Sequence, residues 1–273
     1  MQKQPDLGTA PVGKLLARLA LPAITAQVVN MLYNLVDRIY IGHIPTVGTQ
    51  ALTGVGVCFP LIMLVSAFAA LVYSGGAPRA SIAMGKGENA EAERILGSCT
   101  ALLLALSVIL TVVLTIWNRP LLLLFGASED TILYAEQYMN IYALGTLFVQ
   151  AALGLNAFIT CQGFAKTSML TVLIGAVINT VLDPIFIFAL DMGVQGAALA
   201  TVISQGVSAL WVVRFLTSGK TLLRLRPAFL RLNWKLLAPC VALGLSPFIM
   251  QSTESLLAVC FNTSLRTYGG TLA

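Results

Sequence analysis

The sequence predicts an all-α fold, a polytopic bundle of membrane-spanning helices, and two observations carry this prediction. Of the 273 residues, 58% are hydrophobic and only 10% are charged, and the mean hydropathy is +0.87. A soluble domain carries about 25% charged residues and needs a mostly polar exterior. The second observation is a series of apolar runs of about 20 residues, the length that crosses a bilayer. Together they exclude a soluble enzyme, a disulfide-rich extracellular scaffold and a disordered regulator.

Six complete apolar runs follow one another along the chain, and a seventh begins near Leu236 and reaches about Leu265. Each is expected to be a helix, because a backbone in hydrocarbon must satisfy its own hydrogen bonds, and the short alternating strands of a β-barrel are not seen. The first run is too long for a cleavable signal peptide and carries Asp37 where small residues would be expected. The expected spans are 15–42, 51–74, 97–117, 134–159, 169–190, 194–216 and 236–265.

The distribution of positive charge predicts the orientation of these spans. Most of the 16 basic residues fall on one side of the membrane, in the amino terminus and in the second, fourth and sixth connections. Loops rich in Lys and Arg stay in the cytoplasm, so the amino terminus is expected inside, in a bacterial inner (plasma) membrane. The residues that carry this prediction are Lys3, Lys14, Arg18, Arg79, Lys86, Arg94, Lys166, Arg214, Lys220, Arg224, Arg226, Arg231 and Lys235.

The segment after the sixth run repeats the start of the chain. The sequence LALPAITAQ at 19–27 aligns with LGLSPFIMQ at 243–251, and both copies contain a proline and end in glutamine. A repeat after an even number of helices keeps its membrane orientation, and parallel repeats of this kind are a transporter architecture. The sequence therefore predicts one six-helix lobe of a two-lobe (6+6) transporter, truncated after helix seven.

This repeat divides the chain into three expected parts. An amino-terminal six-helix lobe occupies 1–217, a cytoplasmic basic linker occupies 218–235, and 236–273 is the start of a second lobe whose remainder is missing. The linker pattern fits either an amphipathic helix lying on the cytoplasmic leaflet or a solvated positive-inside loop.

Three of the eleven acidic residues fall inside apolar runs, where ionisable side chains mark ion or substrate routes. These are Asp37, Asp183 and Glu254. Asn179 precedes Asp183 by four residues and shares its helix face, and Pro184 cannot donate its backbone hydrogen bond, which frees the carbonyl one turn back. The arrangement can coordinate a cation; alternatively, these polar groups hold neighbouring helices together.

Other features of the sequence indicate less about function. Glu88, Glu91 and Glu93 are expected to be solvated surface charges. The five cysteines are scattered through apolar runs without a C-x-x-C spacing, which favours packing over a metal site or a disulfide. His43, the single histidine, cannot build a zinc site or a catalytic triad alone.

Several motifs in order resemble the multidrug and toxic compound extrusion (MATE) transporters. The matching segments are VDRIYIGHI at 36–44, GAPRASIAMGKG at 76–87, the Asn179…Asp183–Pro184 group, GVQGAALAT at 193–201 and the opening of the second half with Glu254. The resemblance implies two six-helix lobes around a central cavity, with efflux of organic cations or drugs against inward H⁺ or Na⁺ and no resident cofactor.

The resemblance also assigns roles to residues of this chain. Asp37, Asn179, Asp183 and Thr201 match the cation-coupling cluster, where Na⁺ would bind only transiently, and Pro22 matches the helix-bending proline. Tyr138 and Asn156 on the fourth helix and Glu254 on the seventh are expected as further cavity residues. Membrane lipid is the surrounding partner, and no catalytic residue, resident metal or nucleic-acid partner is expected.

Three rival functions differ in class. A flippase for lipid-linked oligosaccharides of the same superfamily would hold more basic groups in its cavity, and the runs contain no clearly intramembrane Lys. An intramembrane enzyme would need a nucleophile with a base or a metal cluster, which one histidine does not supply. A non-transporting truncated membrane fragment is favoured only by the expected truncation.

Overall fold

The computed structural model describes residues 12–219 and 221–269, and within these ranges the chain is helical. It contains eight α-helices there: α1 Val12–Gly42, α2 Gly48–Gly85, α3 Asn89–Ile116, α4 Asn118–Leu124, α5 Ile132–Cys161, α6 Ala165–Pro184, α7 Gly193–Thr217 and α8 Trp234–Gly269. A π-helical stretch, Ile185–Ala189, continues α6, and a single 3₁₀ turn, Pro227–Phe229, lies between α7 and α8.

Seven of these helices, all except the short α4, are long and apolar enough to cross a membrane in the part of the chain described. The chain is therefore a multi-pass membrane protein, and the expected fold class is confirmed. The orientation of the spans stays a prediction. Of the basic residues that predict it, Lys3 and Lys220 lie outside the described residues, as do the first eleven and last four positions of the expected domains.

Two long helices, α2 and α5, form the centre of the bundle. The α2 helix packs against α3, α5 and α8, and α5 packs against α3 and α7, while α1 lies mainly against α6. The opposite face of α1 exposes large apolar side chains, among them Leu21, Ile24 and Met31. In a membrane such a face contacts lipid at no cost, because lipid tails are as apolar as leucine.

The apolar interior divides into two cores at opposite ends of the bundle. One contains Ile41, Leu61 and Met139, and the other contains Leu96, Phe158 and Leu216. Helix α2 contributes to both cores, which makes it the element that joins the two ends.

Helices α2 and α8 cross with their backbones almost in contact. A Cβ atom on Gly75 would overlap the carbonyl oxygen of Cys240, and one on Gly244 would overlap the carbonyl oxygen of Leu71. The crossing therefore needs glycine on both helices. Farther along, the Ser255 hydroxyl donates to the Pro60 carbonyl at 2.8 Å, which fixes α8 against α2 across 195 residues of sequence.

Of the two alternatives for the linker, the surface helix is not found in the described residues between α7 and α8, where only the 3₁₀ turn is helical. The segment is also more than a solvated loop. Leu222 is exposed and Leu223 is fully buried, an alternation typical of extended chain. The Leu223 N–H donates to the Gln162 side-chain oxygen at 3.0 Å. The linker is therefore docked onto the ends of α3 and α5 by specific hydrogen bonds.

Glu93 corrects a further expectation, because it is not a solvated surface charge. Its side chain is buried, and one carboxylate oxygen accepts the Arg224 backbone N–H at 3.3 Å. The other oxygen forms an ion pair with Arg226 at 3.0 Å. Glu93, Gln162 and residues 223–226 together form what we call the linker seam.

Candidate functional site

Helix α6 places two polar side chains, Asn179 and Asp183, one turn apart in the interior. Asn179 is 1% exposed and Asp183 is fully buried. The Asn179 amide nitrogen donates to an Asp183 carboxylate oxygen at 3.2 Å and reaches the Thr201 hydroxyl of α7 at 3.4 Å. The four-residue spacing thus gives a shared face, as the sequence indicates, and adds a contact to the next helix.

Asp37 enters the same group of side chains from α1. It is 9% exposed, and its carboxyl group lies within hydrogen-bonding reach of the Asp183 carboxyl group. The structure therefore brings together Asp37, Asn179, Asp183 and Thr201 from three helices. We call these four residues the acid–amide cluster.

Three oxygen atoms of the acid–amide cluster are buried and accept no hydrogen bond from any residue in the described part of the chain. They are one carboxylate oxygen each from Asp37 and Asp183 and the side-chain oxygen of Asn179. A buried oxygen without a donor carries a desolvation penalty, and a buried, unneutralised acid pair carries a larger one. Bound protons or a small hard cation would relieve this penalty, because both take oxygen ligands.

A cavity of about 640 Å³ opens beside the cluster and is lined by five helices of the bundle. Asp37 and Thr201 lie on its wall, so half of the cluster faces the cavity. Tyr138 of α5 also lines it and stacks on Tyr142 at 6.2 Å between ring centroids. The cavity therefore reaches the acid–amide cluster at Asp37 and Thr201.

The helix changes its winding immediately after Pro184. The chain continues as a π-helical stretch, in which the Leu190 N–H donates to the Ile185 carbonyl at 2.9 Å. Single π turns inside α-helices are frequent at functional sites. The proline thus ends the regular hydrogen-bonding pattern next to Asp183.

A polar stripe on α1 lines the cavity and was not singled out from the sequence. It consists of Gln27, Asn30 and Asn34, which precede Asp37 at helical spacings of three and four residues. This spacing puts them on one face of the helix, so the stripe could have been found by listing polar residues at helical period. Gln205 of α7 and Gln251 of α8 face the same cavity.

Arg38 also lines the cavity, although it follows the cluster acid Asp37 directly. Its guanidinium group lies over the Phe59 ring, 5.0 Å from the centroid. Among the described residues it forms no ion pair, so the stacking leaves its charge available to the cavity.

Three of the residues expected at the site are not brought to the cavity wall. The Asn156 amide nitrogen donates to the Ser168 carbonyl at 3.3 Å, near the end of α5. Glu254 is exposed, and Gln251 takes the place on α8 that faces the cavity. Pro22 lies within a continuous α1, about 22 Å along the helix from Asp37 at 1.5 Å per residue.

Comparison with protein families gives one matching model. The model described as MatE matches residues 22–185, which include most of α1 and all of α2 to α6.

Two curated relatives are bacterial transport proteins by name. A "FAD transporter" of Shewanella oneidensis is 28% identical over 251 residues, covering 87% of this chain and 54% of its own length. The "Multidrug export protein MepA" of Staphylococcus haemolyticus is 24% identical over 256 residues, covering 94% of this chain and 56% of its own length.

A solved structure matches the whole chain closely. The structure of the "MATE multidrug transporter DinF-BH" aligns with a TM-score of 0.92 and 35% sequence identity. The alignment covers 100% of this chain and 60% of that one. The chain therefore spans between 54% and 60% of the length of these three proteins.

Proposed function

Because this chain belongs to the MatE family, we propose that the whole protein is a secondary-active efflux antiporter. It exports small organic cations in exchange for H⁺ or Na⁺ and uses the acid–amide cluster as its coupling site. The observation that carries this proposal is the set of three donor-free buried oxygens beside a cavity of about 640 Å³.

The coupling chemistry follows from the two facing carboxyl groups. Asp37 and Asp183 cannot both be charged in contact without a neutralising partner. When the cavity is wet, a proton or Na⁺ enters and is held by the carboxylate and amide oxygens. Cargo that displaces the ion, or a change that rewets the site on the other side, releases it. One site that alternates between ion and cargo is sufficient for exchange.

The transport cycle proposed here uses two lobes. The first lobe comprises 1–217, and the basic linker comprises 218–235. The segment 236–273 is the start of the second lobe, in line with the parallel sequence repeat. Parallel repeats rock against each other about a binding site at their interface. We place the protein in the bacterial inner membrane, because its relatives are bacterial transport proteins, and its amino terminus in the cytoplasm, because of the positive charge of its loops.

A second candidate cargo is an aromatic molecule with an acidic group. Arg38 presents a positive charge to the cavity from its stacked position on Phe59. The relative from Shewanella oneidensis bears the name "FAD transporter". An arginine in the cavity favours a phosphate or carboxylate on the cargo, because its planar guanidinium matches the geometry of those groups.

The test of the coupling site is Asp183→Asn in the full-length protein, reconstituted in vesicles with a proton or sodium gradient imposed separately. Asparagine keeps the size of the side chain but holds neither the charge nor an exchangeable acid proton. We expect gradient-driven efflux of the organic cation ethidium to fall to the level of empty vesicles while membrane insertion is unchanged.

The matched control is Asp191→Asn, at an exposed position with a φ of 52° that asparagine tolerates. It should retain wild-type efflux. Wild-type efflux in Asp183→Asn overturns the coupling site, and loss only in Glu254→Gln moves coupling to the second lobe. Transport of ethidium, FAD and a lipid-linked oligosaccharide is also measured with the wild-type protein in vesicles. Transport of ethidium supports the cation cargo, transport of FAD supports the acidic aromatic cargo, and transport of the oligosaccharide supports the flippase alternative.

A further inference from the structure

A second cavity lies at the end of the bundle opposite the acid–amide cluster, where basic residues gather. Its volume is about 480 Å³, and it is enclosed by the end of α2, the start of α3 and the first part of α8. It shares no lining residue with the larger cavity. Its chemistry therefore requires an explanation separate from transport coupling.

The cavity carries side chains of both charges. Arg79 lies on the last turns of α2, and Lys86 directly follows the helix in helical conformation, seven positions later, so the two residues share one face. Glu88 and Glu91, at the start of α3, line the same cavity. None of the four forms an ion pair with another residue in the described ranges. Two positive and two negative groups are thus available to one occupant.

The remaining wall of the cavity is apolar and faces outward. Ile82 is 60% exposed and Leu243 is 57% exposed, and the buried Ile95 lines the cavity beside them. Large apolar side chains at the end of membrane-spanning helices contact acyl chains. An occupant that fits both parts has a zwitterionic head group, with one negative and one positive charge, and a hydrocarbon tail.

We propose that this cavity binds a phospholipid of the phosphoethanolamine class. Its phosphate contacts Arg79 and Lys86, its ammonium group contacts Glu88 and Glu91, and an acyl chain lies along Ile82 and Leu243. A lipid with only a negative head would meet the two glutamates unfavourably. A choline head lacks the N–H donors that carboxylates accept. The site goes beyond the proposed function, since no step of ion coupling uses it.

The bound lipid would bridge the lobe of α2 and α3 to α8. The same region contains the glycine crossing of α2 and α8, so a lipid here adds a contact that spans the junction.

The test is native mass spectrometry of the full-length protein in detergent, titrated with phosphatidylethanolamine, phosphatidylcholine and phosphatidylglycerol of identical acyl chains. We expect phosphatidylethanolamine to bind most tightly. The double variant Arg79→Gln/Lys86→Gln should weaken it by about fivefold for each charge removed. The double variant Glu88→Gln/Glu91→Gln should abolish its preference over phosphatidylcholine.

The matched control is Arg94→Gln, since Arg94 stacks near Phe229 outside the cavity, and it should bind lipid as the wild type does. Equal binding of the three lipids, tighter binding of phosphatidylglycerol, or an unchanged preference in both double variants overturns the proposal. So does binding of soluble phosphoethanolamine as tightly as the lipid. Thermal unfolding of each variant separates a lost site from a misfolded protein.

Discussion

The acid–amide cluster and the linker seam both bury carboxylates, yet they treat them in opposite ways. In the linker seam, Glu93 is 7% exposed and each of its oxygens has a partner, one from a backbone N–H and one from Arg226. In the cluster, Asp183 is fully buried, keeps one oxygen without a donor and faces a second acid. A paired buried acid holds structure, whereas an unpaired one is poised to bind something.

Other buried polar groups support this distinction. The donor-free oxygens of Asn118, Gln150 and Asn156 belong to neutral amides, and each of these side chains donates a hydrogen bond through its nitrogen. Their cost is that of one unpaired neutral acceptor, about 1–3 kcal/mol at most. The acid–amide cluster instead places three donor-free oxygens together among the described residues, and two of them belong to carboxyl groups.

The largest effect should follow from Asp37→Asn, which removes one of the two facing acids. We expect coupled efflux to be abolished while thermal stability in detergent stays equal to the wild type or rises, because a costly buried acid pair is gone. The measurements are gradient-driven efflux and the unfolding midpoint on the same preparation. A large fall in stability would show that the cluster is structural and break the comparison.

A smaller effect of the opposite kind is expected from Glu93→Ala in the linker seam. The Arg224 N–H loses its acceptor and Arg226 loses its ion partner, which costs about 1–3 kcal/mol of stability. Efflux per folded molecule should remain at the wild-type level. Denaturant titration measures the loss, with Glu129→Ala at an exposed acidic position as control. If efflux by Glu93→Ala no longer depended on the ion gradient while its stability was unchanged, Glu93 would belong to the coupling site instead.

The smallest effect is expected at Arg119, which pairs with Glu136 at 3.1 Å on the surface. The Arg119 side chain is 63% exposed, and exposed ion pairs contribute about 0–1 kcal/mol. Arg119→Gln should therefore leave both stability and efflux within error of the wild type. If Arg119→Gln lost as much stability as Glu93→Ala, burial of the carboxylate would not explain the difference between the two ion pairs.

The spans and the cluster could be anticipated from the sequence because their signals are local. Apolar length gives the helices, and the spacing of Asn179 and Asp183 gives their shared face. The linker seam could not be anticipated, since Glu93 finds its backbone partner 131 residues away. From local pattern alone, a glutamate beside a basic loop is indistinguishable from a solvated one.

Two residues expected at the cavity, Asn156 and Glu254, do not line it in the described structure, and the reasons are similarly physical. Asn156 has a partner just across a short loop, Ser168, which no periodicity reveals. On α8 the sequence analysis selected Glu254 because it is an acid within an apolar run, whereas the neutral Gln251, three residues earlier, faces the cavity. The choice depends on the rotation of a helix about its axis, which is set by its tight crossing with α2 rather than by its own polar residues.

That crossing also has a consequence for how the chain is made. The Pro60 carbonyl accepts from a hydroxyl that leaves the ribosome 195 residues later. At about 5–20 residues per second, this delay is roughly 10–40 seconds. During that time the glycine surface of α2 lies open within the bilayer, where an acyl chain or a helix of the insertion machinery can occupy it. Folding of this region is therefore completed only when α8 covers that surface.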